Sequence, residues 1–169
     1  RALTDLVAET ETFSEYKKKA IDIYDTYNKN WAEAEYNTAK GQAQNAILWS
    51  EFEKDKKNFP YLKYSAVMDN NTSDICKPLN GVIRKVDDPL WNKYSPLNHF
   101  NCRCTLEKLD RYDNVVLTHN AKIDEITKKL DDTVQKEFKM NPGKDGYIFN
   151  ENHPYFSISK GDKGLAREN

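Results

Sequence analysis

Cysteine is scarce in this chain, with three in 169 residues. The number is odd and the three are clustered, a usage that suits a reducing compartment better than a disulfide scaffold. There is no excess of charge of either sign. Twenty-six basic side chains stand against 27 acidic ones, a net charge of −1. Such a balance builds no strongly positive field, so tight non-specific DNA binding is not expected from charge. Long hydrophobic runs are missing, and nothing approaches the roughly 20 apolar residues of a membrane span. No signal-peptide pattern opens the chain. P-loop, GxSxG, HExxH and dinucleotide-binding fingerprints are all lacking, and no internal repeat is visible. Mean hydropathy is low, at −0.90.

What is present is aromatic. Ten Tyr, seven Phe and three Trp let a small core bury a large area per residue. The length fits one domain, or one domain with appendages. A start at Arg1 and a charged end suggest an excerpt of a longer protein.

Residues 1–58 read as a helical region. Leu3, Leu6, Val7, Phe13, Ala20, Ile21, Tyr24, Tyr27 and Trp31 keep helical steps, with a bend expected at Asn28-Lys29-Asn30. This is an ordinary amphipathic helix on the core, or one that packs on another subunit. A second helix is expected over 31–57. Its buried side is read as Tyr36, Ala39, Ala43, Ala46, Ile47, Trp49 and Phe52. Gly41 costs about 1 kcal/mol in a helix interior, and its small size would permit another element to approach closely.

At Tyr61 the period changes. Residues 59–110 read as a small antiparallel sheet. Leu62, Tyr64, Ala66 and Met68 alternate as a half-buried strand, Val82–Val86 makes a second after the Asn80-Gly81 turn, and Cys104–Leu109 a third. Asp87-Asp88-Pro89 stops the second strand. Trp91 and Tyr94 plug an irregular excursion over 87–101. Residues 111–140 give a last amphipathic helix through Val115, Val116, Ile123, Ile126, Leu130, Val134 and Phe138, best from about Asn120 to Lys139. Asn141-Pro142-Gly143 is read as its end. Residues 141–169 read as a partly ordered tail in which Ile148, Phe149, Tyr155, Phe156 and Ile158 dock as a short strand. The fold class is therefore α+β.

All three cysteines lie in one stretch, at Cys76, Cys102 and Cys104, together with His99. Cys, His, Cys and Cys would complete a closed tetrahedral zinc site, one ligand from a first strand or loop and three from an H-x-x-C-x-C knuckle. Two other readings stand beside it. The cysteines could be buried free thiols beside a surface histidine, or one pair could form a disulfide, with Cys102 and Cys104 too close in sequence to bridge comfortably. A thiol nucleophile assisted by histidine lacks an orienting partner legible in the sequence. Asp69, Asp74, Asp87 and Asp88 could form a metal-dependent nuclease site, but they sit among Asn, Ser and Pro as turn and cap residues do. Arg103, between two candidate ligands, reads as an outward residue or a donor to a thiolate or carboxylate. Its functional alternative is contact with nucleic acid. His119 and His153 read as surface or capping residues.

The run from Tyr64 to Leu106 resembles the phage Mu protein F-like family of minor head and head-morphogenesis proteins. The matching pieces are the Asp69 turn, Cys76-x-x-Leu79-Asn80-Gly81, Asp87-Asp88-Pro89-Leu90-Trp91 and Pro96-Leu97-Asn98-His99-Phe100-Asn101-Cys102-Arg103-Cys104. Glu35–Ala39 and Trp49 fit the family's helical lead-in. The likeness covers roughly 31–110. Many members carry an additional cysteine where this chain has Ser73, and some a histidine at the Cys76 position, an exchange that metal ligands tolerate. The resemblance implies a structural, non-enzymatic role in head morphogenesis, in the virion or in the host cytoplasm during assembly. The partners would be portal and capsid proteins and phage DNA, with no membrane and no small-molecule substrate. The alternative is a zinc-stabilised nucleic-acid-binding or nuclease module associated with a toxin.

Overall fold

A computed structural model describes residues 12–23, 29–153 and 156. Among them five α-helices accompany one three-stranded antiparallel sheet, so the class is α+β. Helix α1 (Phe13–Ile23) leads into the long α2 (Lys29–Asp55). The sheet comprises β1 (Tyr61–Ser65), β2 (Ile83–Lys85) and β3 (Thr105–Leu109) in the order β2-β1-β3. Helix α3 (Leu90–Tyr94) lies between β2 and β3, and α4 (Asn120–Thr133) and α5 (Pro142–Asp145) follow. No helix among the described residues is long and apolar enough to cross a membrane.

Strand β1 is central because its even residues carry the core. Leu62 and Tyr64 are fully buried, while Tyr61, Lys63 and Ser65 are half-exposed. Register pairs Leu62 with Arg84 on one side and with Lys108 on the other. The strand ends at Ser65, so Ala66 and Met68 do not continue it, and Met68 is exposed. The Asn80-Gly81 step turns the chain, though not as a two-residue hairpin. Asn80 has φ −57° and ψ 127°, and Gly81 has φ +78°, the dihedrals of a type II turn. The turn closes the short 3-10 helix Lys77–Leu79 back onto β1. Gly81 N donates to Tyr64 O and Tyr64 N donates to Val82 O, both at 2.8 Å.

The excursion expected to be irregular holds α3. The Asp88 carboxylate accepts from Leu90 N at 2.9 Å, fixing the first turn of a helix too short to persist alone. Trp91 and Tyr94 on this helix are fully buried. Trp91 Nε1 donates to Lys85 O at 2.8 Å, so the ring brings its polar handle to the end of β2.

Three helix readings are corrected. The inner side of α2 runs through Ala32, Glu35, Tyr36, Thr38, Ala39, Gln42, Trp49 and Phe52. Ile47 is 64% exposed, because the buried stripe follows Thr38 and Gln42 rather than the apolar residue. The last amphipathic helix stops at Thr133. Val134 leaves the helical backbone and Phe138 is buried from a 3-10 turn, Lys136–Phe138. Val116 is exposed before the helix begins. Asn141-Pro142 starts a helix rather than ending one. The Asn141 side chain accepts from Gly143 N and Lys144 N, and proline at the first helical position loses no hydrogen bond there. The tail expected from 141 therefore opens with α5. Phe156 is exposed, and Tyr155 and Ile158 lie outside the described residues. So do residues 1–11 and 24–28, which hold parts of the expected first helix; of its expected bend only Asn28 lies there, while Lys29 and Asn30 open helix α2.

Two glycines set helix contacts. A Cβ on Gly41 would come within 2.6 Å of Leu97 Cδ1, the tip of a flexible chain. A Cβ on Gly143 would collide with Trp49 Cβ, an atom fixed by the α2 backbone. Gly143→Ala should therefore destabilise the fold by about 1–3 kcal/mol through overpacking, and by more than Gly41→Ala. Urea midpoints of the two variants check the order. Trp91→Ala empties a fully buried site and should cost about 3 kcal/mol or more in the same measurement; a loss under about 1 kcal/mol would mean the ring is not held in the core.

Candidate metal centre

Two turns and the approach to β3 carry the candidate ligands. Cys76 sits at the end of a turn fixed by Ser73, whose hydroxyl and carbonyl accept from Cys76 N at 3.2 and 3.1 Å. The 3-10 helix begins at the next residue. His99 and Cys102 bracket a second turn, with Cys102 N donating to His99 O at 3.3 Å. Asn101 closes that turn at φ +55°, a left-handed position that asparagine occupies at lower cost than most residues. Cys104 immediately precedes β3.

The knuckle is held against α2 through polar groups. Thr38 Oγ1 accepts from Asn101 N at 3.3 Å. Gln42 receives Leu97 N and donates to Leu97 O, each at 3.5 Å. Phe100 packs edge-on against Phe138, with centroids 4.9 Å apart, which brings in the turn after α4. The knuckle is thus fixed from two sides.

The three sulfurs lie within 4.8 Å of one another, and all three cysteines are buried. They are free thiols, so the disulfide reading has no bond to support it here. Cys76 Sγ is 3.7 Å from Cys102 Sγ and 3.2 Å from His99 Nε2. A zinc–sulfur bond of about 2.3 Å and a zinc–nitrogen bond of about 2.0 Å place tetrahedral ligands roughly 3.8 Å (S to S) and 3.5 Å (S to N) apart. The observed separations lie close to both. His99 Nδ1 is 2.7 Å from the Phe100 carbonyl, an acceptor only, so Nδ1 carries the proton. In the neutral ring Nε2 is then left with its lone pair toward Cys76, the tautomer a metal requires. Ser73 Oγ also lies 2.9 Å from Nε2.

Without a metal, this crowding sorts the charges. Hydrogen bonding from Cys102, then Cys104, holds the Cys76 thiol far below its usual range against the cost of burial. The same neighbours and burial push Cys104 upward. His99 rises to about 10, first through Cys102 and then through Cys76.

Sequence reasoning did not find the buried polar groups behind the sulfurs. Tyr64 Oη is 3.8 Å from Cys76 Sγ, and Asn98 Nδ2 donates to Tyr64 Oη at 2.9 Å. Asn98 and Tyr64 are fully buried, and burial first, then the sulfur charges, drives the phenol well above its ordinary pKa. The only sequence signal was position: Tyr64 lies on the inward phase of β1, and Asn98 next to His99.

Arg103 points away from its two neighbours, as the alternation of an extended segment requires. Its guanidinium forks onto the Asp69 carboxylate with both contacts at 2.8 Å. That pairing comes first among the causes holding Asp69 down at about 2. The other acidic candidates are also separately engaged: Asp74 with Lys77, Asp87 with Lys56 and Asp88 with Arg84. Among the described residues, the cysteine trio alone forms a cluster able to hold a metal. His119 is exposed at the start of α4, whereas His153 is buried, a correction to its reading as a surface residue. It packs on Phe149 with ring centroids 4.2 Å apart.

Comparison with known proteins agrees with the motif reading. The "Mu-like prophage FluMu F protein" of Haemophilus influenzae is 35% identical over 75 residues, covering 44% of this chain and 18% of that protein. The "Putative capsid assembly protein F" of Escherichia phage Mu is 31% identical over 74 residues, covering 44% of this chain and 17% of that protein. The matched stretch thus spans less than a fifth of either relative. No solved structure matches the chain. The family model described as "Phage Mu protein F like protein" matches residues 1–107, and this chain belongs to that family.

Proposed function

We propose that this chain acts in phage head assembly as a binding module, with no turnover, and that zinc held by Cys76, His99, Cys102 and Cys104 staples its fold. Membership of the Mu F-like family and the capsid-assembly name borne by the phage Mu relative support the assembly role. The observation that carries the metal reading is the meeting of three buried sulfurs with the Nε2 of a histidine 3.2 Å from one of them. Three thiolates and one imidazole fill a tetrahedral shell, leaving no position for substrate or activated water. Zinc in such a shell is structural: it supplies folding free energy and no chemistry.

The same features weigh against the enzymatic alternative. The four aspartates of the nuclease reading are spread over separate ion pairs, and the net charge is −1. Portal and capsid proteins are the expected partners, in the virion or in the host cytoplasm during assembly. Phage DNA would be a weak and salt-sensitive one, given the charge.

Two experiments test this reading. Reduced protein purified without added metal should carry close to one zinc per chain by elemental analysis, and Cys104→Ala should lose the metal and several kcal/mol of stability. A content near zero in folded, reduced protein would remove the zinc claim. Tagged chain should co-purify with the portal or major capsid protein of its own phage. Failure to retain either, together with cleavage of DNA by the same preparation, would favour the nuclease alternative.

A further inference from the structure

The buried pair Asn98 and Tyr64 has no use in a core of thiols alone. Both side chains are fully buried, and Tyr64 belongs to the hydrophobic core that also holds Leu62, Leu79, Trp91 and Leu106. A phenylalanine and a leucine would fill the same space without the cost of burying polar groups. The directions of the hydrogen bonds explain the retention. Asn98 Nδ2 donates to Tyr64 Oη at 2.9 Å, which occupies the phenol as an acceptor. The phenol's own hydrogen is then directed elsewhere, and Cys76 Sγ lies 3.8 Å away. A phenol keeps its proton at neutral pH and a metal-bound thiolate has none to give, so with metal bound Tyr64 is the donor across that contact.

We infer that Asn98 and Tyr64 form a relay of positioning residues that donates a hydrogen bond to the Cys76 thiolate in the metal-bound state. This rests on the zinc reading above and deepens it. Three thiolates around a divalent ion leave one excess negative charge in a buried site, and a donor to one sulfur offsets part of it. Backbone amides shortly after the cysteine do this at many sites; here Pro78 has no N–H and Leu79 N donates to Cys76 O at 3.1 Å. The phenol stands in their place. Asn98 touches no sulfur in the arrangement described and acts through Tyr64. Its Oδ1 is buried without a partner. If the amide were reversed, Oδ1 would accept from the phenol and the donor to Cys76 would be lost.

The experiment uses the full 169-residue chain and two probes, Zn2+ in competition with a chromophoric chelator and Co2+ as a spectroscopic substitute. Tyr64→Phe keeps the ring and removes the donor. It should weaken zinc binding about 10- to 100-fold, the usual effect of losing an outer partner of a ligand, and still saturate near one metal per chain. The sulfur-to-cobalt charge-transfer band should move to lower energy, because a sulfur without its donor is easier to oxidise. A purely structural tyrosine would not shift that band. Asn98→Leu should give a smaller change in the same direction, and no additional change in the Tyr64→Phe background. Zinc affinity within twofold of the unsubstituted chain, or an unmoved band, would overturn the role of Tyr64. Additive losses from the two substitutions would overturn the relay. An unsubstituted chain that takes up neither metal would overturn the zinc reading and the relay together.

Discussion

The convergence of the Cys76, Cys102 and Cys104 sulfurs, with His99 against Cys76, is the constraint on which the proposed account of this fold depends. The four side chains come from two turns separated by 22 residues of intervening chain between Cys76 and His99. The intervening stretch contains the shortest strand and a five-residue helix, neither of which is stable alone. A ribbon of three short strands becomes stable only through its hydrophobic face or a helix packed on it. Zinc at this point would tie the start of β3 to the turn before β2, fixing the path on both sides of β1 and holding α3 where Trp91 and Tyr94 enter the core.

The polar wall of α2 shows how the knuckle is oriented as well as tethered. Gln42 brackets the Leu97 peptide and Thr38 receives Asn101 N. The cost of burying these groups is offset because each finds a backbone partner that has left regular structure. Gly41 belongs to the same contact, since a larger residue would push Leu97 away. A polar stripe on the inner face of a long helix thus serves as a docking strip for an irregular segment. This accounts for an exposed Ile47 on a helix whose buried side includes Gln42 and Glu35.

The chain's local chemistry made much of this legible and its tertiary pairing made the rest opaque. Strands β1 to β3 were readable from alternation, and the cysteine-rich knuckle from residue type alone. Tyr64 and Asn98 were not, because a buried hydrogen bond between residues 34 apart leaves no periodic trace. Asn141-Pro142 was read as a stop because proline breaks helices; the competing rule, that Asn then Pro begins one, prevailed once Trp49 offered a packing surface. The long last helix was over-extended because Val134 and Phe138 continue the apolar spacing after the backbone has left the helix. Asp69 and Arg103 were each weighed separately, and their bidentate pairing emerged only when the turn and the knuckle were brought together.

X-ray absorption at the zinc edge tests the central claim most directly. A chain folded around this site should show a first shell of three sulfurs near 2.3 Å and one nitrogen near 2.0 Å, with no exchangeable oxygen. A shell of nitrogen and oxygen alone, or no zinc in reduced and folded protein, would contradict it.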